Sequence, residues 1–355
     1  MRTYCGSRPT MDIKHYFKYG LIVVASVTCC LELLLLPRHL LRKARHYVDD
    51  SSQNLFTFPL AHCPCSRTLP RPQNASTVPF NATTCSRDAF VRGDGQQVVS
   101  FSFYGDVHTK VAVQKGYFEG IRGNLDLMAQ FYPNWIMRVY FDLATNDPVL
   151  SDLCDLACQY EVLDICHVAQ LPGAPMVDAR QVFAMNWRFF PTLDPQVDLY
   201  ASRDLDSRFS LREQAAVQEW LDSDEPMHIM RDHPRHKIEI LGAAWGTHLK
   251  RKNARGRWIK SWIKILNDTE AWASRQSKGP DQVILRRYVW PWARRSSIQH
   301  DSYFCRDYRG TIPFPTEREM SVNNFVAAAV KSNGTLVKKC PKKCRPEAHP
   351  DWEFC

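Results

Sequence analysis

The first feature of the hydrophobic pattern is an apolar run at residues 19–36, ended by Pro37. Extended back to Tyr16, it reaches about 20 residues, the length that spans a bilayer as a helix. Glu32 lies near one end, where an acid is tolerated better than at the midplane. Lys14 and Lys18 precede the run and Arg38, Arg42 and Lys43 follow it, so flanking charge does not orient it. No small-residue cleavage site follows, so it reads as a retained anchor and not as a removed signal peptide. Residues 37–96 show no sustained period and are rich in Pro, Ser, Thr and Asn, which predicts an extended stem.

From Gln97 the pattern becomes periodic. Residues 98–104 read as a strand ending at Gly105-Asp106, and 110–131 as a helix stopped by Tyr132-Pro133. A strand at 135–141, a short helix around Cys154 and Cys158, a strand at 161–168, a helix at 181–190 and a strand at 198–202 follow. This alternation predicts an α/β fold with a single Rossmann-like, mixed but mostly parallel sheet. Further on come an amphipathic helix at 211–223, short strands at 227–231 and 238–241, and a tight turn at 242–246 that exposes Trp245. A Trp-rich helix is expected at 258–274. The layout is a tail (1–15), a transmembrane anchor (16–36), a stem (37–96), a catalytic-type domain (97–315) and a Cys- and Lys-containing extension (316–355).

Composition adds little to the fold and more to the setting. Hydrophobic content of 45% with 23% charged residues is that of a packed globular protein. The net charge of +9 is spread along the chain, and no nucleic-acid-binding motif accompanies it, which leaves a membrane surface or an anionic substrate as its use. Of thirteen Cys, Cys5, Cys29 and Cys30 precede or lie within the apolar run, leaving ten beyond it, an even number. Four Asn-x-Ser/Thr sequons, at Asn74, Asn81, Asn267 and Asn333, also lie beyond it. Both facts predict an oxidising lumen around the body, with disulfides near its two ends and no readable connectivity. Structural zinc is a poor use of these cysteines, because Cys63-Pro-Cys65 and Cys340–Cys344 are not paired at zinc spacings.

The chemistry concentrates where the strand at 198–202 ends in Asp204-Leu-Asp206. In extended chain, residues i and i+2 point the same way, so two carboxylates at a strand end can hold one hard cation. Mn²⁺ or Mg²⁺ takes one or two such carboxylates and fills its shell from substrate phosphates. Ligands of open α/β sheets bind beyond the carboxyl ends of the strands, where these acids lie. Arg188, on the helix before that strand, could reach a donor phosphate, and Tyr104 ends the first strand of the periodic region. Asp281-Gln282 opens a short helix after Gly279-Pro280. His300 is a candidate third metal ligand. Within Arg231–His236, Asp232 and His233 are candidates for a base. No nucleophile elbow, Walker loop or Gly-x-Gly-x-x-Gly occurs, which removes hydrolase, P-loop and dehydrogenase readings.

In order, these motifs resemble glycosyltransferases of the A-type fold, most of all the glycogenin and bacterial lipopolysaccharide galactosyltransferase group. There a basic helix precedes a strand ending in Asp-x-Asp, an Asp-Gln pair opens a later helix, and a late His completes the metal site. The matching positions are Arg188, Asp204, Asp206, Asp281, Gln282 and His300, within residues 98–315. The run Arg203-Asp-Leu-Asp-Ser-Arg208 departs from the group's Leu-Asp-x-Asp, and His300 lacks its Gly and Lys-Pro-Trp neighbours. The resemblance implies a type II Golgi membrane protein that moves a sugar from a nucleotide sugar, a UDP-sugar first of all, to a glycan, glycoprotein or glycolipid. It implies Mn²⁺ or Mg²⁺ at Asp204, Asp206 and His300, donor contacts from Tyr104 and Arg188, and acceptor contacts from Gly242 and Trp245. Asp232 would be the base of an inverting reaction, whereas a retaining one needs none and sets Gln282 near the reacting carbon. A homodimer is compatible with it. Two other classes fit the same residues: an inactive glycan-binding or scaffold protein, and a nucleotidyl- or phosphotransferase.

Overall fold

The structure, a computed structural model, describes residues 55–72, 76–173, 178–268, 279–318, 324–330 and 337–355. The chain divides into Met1–Phe56 and Thr57–Cys355, and the sheet with its cores belongs to the second unit. The tail and the anchor expected at 16–36 lie outside the described residues. Among the described residues no helix is long and apolar enough to cross a membrane.

Seven strands form the main sheet: β3 (Gln96–Phe103), β4 (Ile136–Phe141), β5 (Leu163–His167), β6 (Val197–Ser202), β7 (Met227–Arg231), β8 (Trp245–His248) and β9 (Ser297–Asp301). Their order is β5-β4-β3-β6-β8-β7-β9, and only β8 runs antiparallel to its neighbours. The expected mixed, mostly parallel sheet is present. The central strands are buried on both faces, which is why they read as near-continuous apolar runs. One face carries α2 (Tyr117–Phe131), α3 (Pro148–Gln159) and α4 (Leu211–Asp222), with Ile121, Leu125, Leu153, Val217 and Trp220 packed on Val99 and Phe101. The other carries the 3₁₀ helix Ala184–Thr192 and α5 (Ala254–Leu266), with Trp187, Phe190, Trp258 and Trp262 in one cluster with Val98 and Tyr200.

Local chemistry sets the boundaries. Thr109 caps α1 (Lys110–Lys115), and Gly116 closes it in the left-handed region at φ 67°, so the single helix expected over 110–131 is two. Asp147 caps α3 ahead of Pro148, and Ser210 caps α4. The strand expected at 238–241 does not form, and Trp245, read as a turn residue, opens β8 instead.

Residues 57–96, expected as stem, pack on the body through Phe58, Leu60, Cys85 and Ala89. The hairpin of β1 (Leu55–Pro59) and β2 (Ser66–Pro70) is bridged to α3 by Cys63–Cys154 and Cys65–Cys158, and Cys85 is bonded to Cys166 in β5. Arg67 and Arg92 both reach the buried carboxylate of Asp164. The carboxyl-terminal segment is likewise integral: Cys305–Cys344 and Cys340–Cys355 fasten it, and the Cys355 carbonyl accepts from Ser302 Oγ. All ten cysteines of the expected body are therefore in disulfides, but only Cys305–Cys344 and Cys340–Cys355 join partners near one end, whereas the other three tie Cys63, Cys65 and Cys85 to the middle of the chain. Asn81 and Asn267 are exposed, and Asn74 and Asn333 lie outside the described residues.

Candidate active site

The chain goes from β3 outward to β4 and β5 and then returns to β6 on the other side of β3. This reversal opens a crevice at the carboxyl ends of β3 and β6, the place where open α/β sheets bind ligands. A cleft of about 390 Å³ lies there, a volume suited to a small organic ligand.

The walls come from segments far apart in sequence. β3 delivers Tyr104, whose ring is partly exposed and meets Trp187 edge-on. β6 runs into a turn in which the Ser207 amide and hydroxyl both donate to the Asp204 carbonyl, and Asp204, the buried Leu205 and Asp206 all line the cleft. α2 presses against this turn, and it fits because of two glycines. A Cβ on Gly120 would stand 1.9 Å from the Leu205 carbonyl oxygen, and one on Gly123 2.6 Å from Arg208 Nε. α6 (Pro280–Ile284) brings Asp281 and Gln282, with Gly279 as its N-cap at φ 106° and Pro280 in its first turn.

Arg188 joins these parts. It is almost fully buried, donates through Nη1 to Asp204, and donates through Nη2 to Asp281 Oδ2 at 2.7 Å. Burial works against its charge, but Asp204 and Asp281 hold its pKa above the ordinary guanidinium value. Its Nε has no hydrogen-bond partner in the structure. The Asp204 side chain remains 47% exposed and accessible from the cleft. Burial, and then the charge of Asp204, raise the pKa of Asp206. Gly242 lines the wall opposite, where a Cβ would meet Asp281 Oδ2 at 2.0 Å and Arg188 Nη2 at 2.6 Å.

Arg188, Asp204, Asp206, Asp281, Gln282, Tyr104 and Gly242 are thus brought together. Four candidates, Trp245, Asp232, His233 and His300, are not. Trp245 is fully buried, stacked on Trp258 at 4.9 Å and hydrogen-bonded through Nε1 to the Gly242 carbonyl, so it cannot be an exposed acceptor platform. Asp232 lies outside the cleft, clamped by Arg212 at 2.8 and 2.9 Å and accepting from Ser302 Oγ and the Val326 amide. Burial works against its charge, but Arg212, Arg318 and the Val326 amide hold its pKa below the usual carboxylate range, which makes it a weak base. His300 is buried in β9, with Nδ1 against His228 Nε2 at 2.9 Å and Nε2 against Glu219 at 3.0 Å. Both its nitrogens are engaged away from Asp204 and Asp206. Among the described residues no group of three or more His, Cys, Asp or Glu is arranged to hold a metal ion.

The cleft also holds residues not singled out from the sequence: Tyr117, Met185, His236 and Ala327. His236 belongs to the ionisable cluster noted before the expected strand at 238–241. Its Nδ1 accepts from the Asp232 amide, so the neutral ring carries its proton on Nε2, and burial takes its pKa down to about 4. Ala327 reaches the cleft because Val330 donates to the Asp206 carbonyl, which folds the carboxyl-terminal segment over the Asp204–Ser207 turn.

Compared with models of known protein families, the chain matches none, and a comparison with curated proteins finds none similar to it.

Proposed function

We propose that this chain is a metal-dependent glycosyltransferase of the A type, which transfers a sugar from a nucleoside diphosphate sugar to a glycan, protein or lipid acceptor. The observation that carries the reading is the convergence of Arg188, Asp204, Asp206, Asp281 and Gln282 on one cleft at the crossover of the sheet. The donor set suits Mn²⁺ or Mg²⁺. Asp204 and Asp206 supply two adjacent carboxylates, and such an ion completes its shell from water and phosphate oxygens, so a third protein ligand is not required. When bound there, the cation neutralises charge on the departing diphosphate.

The chain's own residues supply the rest of the proposed reaction. With Asp204 among the residues that would hold the cation, Arg188 Nη1 would be free to donate to a diphosphate oxygen, while its bond to Asp281 keeps the guanidinium in place. The Tyr104 ring offers a stacking face to the nucleotide or sugar. Gly242, lacking a side chain, leaves the room that Asp281 Oδ2 and Arg188 Nη2 occupy. Among the described residues of the cleft no carboxylate is left to act as a base: two face the cation and Asp281 serves Arg188. His236 in its present tautomer donates and does not accept through Nε2. A retaining reaction needs no such base; in it Gln282 would lie beside the reacting carbon and the acceptor hydroxyl would pass its proton to the departing diphosphate oxygen. The same reading takes residues 16–36 as a type II anchor in the Golgi membrane with the body in the lumen, the setting in which ten paired cysteines and two exposed sequons are at home.

A thermal-shift panel of nucleotides and nucleotide sugars, each with and without Mn²⁺, tests the proposal through ligand stabilisation. Nucleotide sugars should stabilise the wild type only with Mn²⁺, and Asp206→Ala should abolish that shift. Stabilisation by nucleoside triphosphates alone would replace the reading with a nucleotidyl- or phosphotransferase. No metal-dependent shift with any nucleotide would leave a glycan-binding or scaffold protein.

A further inference from the structure

A second concavity, of about 560 Å³, shares no residue with the cleft and has a different chemical character. One wall is α5, where Arg257, Lys260 and Lys264 follow one another at i, i+3 and i+7 and so share a face. The facing wall carries Arg287 and Arg295, and Tyr288 and Trp292 lie between the walls. Arg295 and Ser296 precede the amino end of β9, which pairs with the amino end of β7, so this part of the groove lies toward the end of the sheet opposite the cleft.

The charges divide into two kinds. Arg287 pairs with Asp268 at 2.6 Å, and the Tyr288 hydroxyl donates to the same carboxylate. Arg257 donates to Ser296 Oγ and lies over the Trp292 ring at 5.6 Å, while Trp292 Nε1 donates to Ser261 Oγ. These contacts fix the aromatic floor. Lys260, Lys264 and Arg295 are exposed and have no ion pair or hydrogen bond among the described residues. Fixed aromatic rings between Lys260 and Lys264 on one wall and Arg295 on the other match a polymer that alternates flat apolar faces with anionic groups.

We infer that this groove binds an acidic polysaccharide, a chain bearing sulfate or uronate groups, through Lys260, Lys264 and Arg295 with Trp292 and Tyr288 beneath the sugar rings. The inference stands independently of the transferase reading. A concave site with recessed aromatic rings suits a single sugar chain better than the plane of a bilayer, although Ile259 and Ile263 are exposed on the adjoining face of α5. Five disulfides belong to an oxidising compartment, where sulfated and uronate glycans, and not nucleic acids, are the abundant polyanions.

The full chain is titrated with a fluorescent heparin octasaccharide, with a polyglutamate of equal charge, with oligo-dT, and with vesicles containing phosphatidylserine. The octasaccharide should bind most tightly. Replacing Lys260→Ser, Lys264→Ser and Arg295→Ser together should weaken it by about tenfold or more. Removing equal charge from the carboxyl-terminal cluster, by Lys339→Ser, Lys342→Ser and Lys343→Ser, should leave it unchanged, as should the charge-keeping pair Lys260→Arg with Lys264→Arg. Equal losses from the two triple variants would overturn the site in favour of general basicity. Tighter binding of polyglutamate, oligo-dT or vesicles would overturn the polysaccharide.

Discussion

Gly242 shows how closely the cleft is fitted around its ion pairs. Its missing Cβ is the space into which Asp281 Oδ2 and Arg188 Nη2 reach, and its carbonyl accepts from both Ser202 Oγ and Trp245 Nε1. Gly242→Ala therefore forces Arg188 off Asp281 or tilts the wall, at a cost of about 1–3 kcal/mol as for other overpacked sites. A lower unfolding midpoint, with loss of the Mn²⁺-dependent nucleotide-sugar shift, is expected in differential scanning fluorimetry. Wild-type behaviour on both readouts would mean the wall is not built around this contact. The same scale explains which site residues could be read in advance. Asp204 and Asp206 were legible because an apolar strand ended on them, and Arg188 because it preceded that strand. Asp232 and His300 looked equally chemical, but their partners Arg212, Arg318 and Glu219 are neighbours only in the folded chain. Nothing in one sequence separates a buried paired charge from an available one.

At the level of elements, the contact between α2 and the Asp204–Ser207 turn sets the site. With Gly120 replaced by Ala, the helix cannot keep its distance from the Leu205 carbonyl, and either the helix or the turn must move. Gly120→Ala should lower stability by about 1–3 kcal/mol in chemical denaturation and weaken Mn²⁺ binding in calorimetry, although Gly120 touches no proposed ligand. Ala is the better helix former, so a gain in stability would show that the close approach carries no strain. Strands β3 and β6 were legible as elements because burial on both faces leaves an unbroken apolar run. β8 was not, because Gly242, Ala243, Ala244 and Gly246 imitate a turn. Gly246 is small for another reason: the Tyr200 carbonyl and the Trp220 ring press on it. The split of α1 from α2 was hidden because Gly116 lies inside a continuous helical period.

For the whole molecule, pH and covalent ties are the levers. Burial is the largest cause lowering the pKa of His167, His228, His233, His236, His248 and His300. In the unfolded chain these rings regain ordinary values near 6.5. The unfolded state then binds more protons than the native one as pH falls, so their contribution is present above about pH 6.5 and lost below it, with a limiting slope of about 1.4 kcal/mol per pH unit for each proton. Denaturation midpoints should drop between neutrality and pH 5, and His228→Gln should flatten that drop. An unchanged profile in the variant would remove His228 from the account. The carboxyl-terminal segment, read as an extension, closes over Asp232 and contributes Ala327 to the cleft. Replacing Cys305 and Cys344 together by Ser should lower stability by about 2–5 kcal/mol, visible as a lower unfolding midpoint under non-reducing conditions, whereas no change would mean that packing alone holds it.

The cross-links near the amino end carry a mechanical consequence. Tension entering from the chain ahead of Cys63 passes through Cys63–Cys154 and Cys65–Cys158 into α3, and what travels further meets Cys85–Cys166 before it reaches β3. The strand that forms one wall of the cleft is thus shielded from a pull on the chain ahead of Cys63, and unzipping from that end must first break sulfur–sulfur bonds. A reductant should therefore change the force at which the body yields in a single-molecule pulling experiment before it changes the cleft.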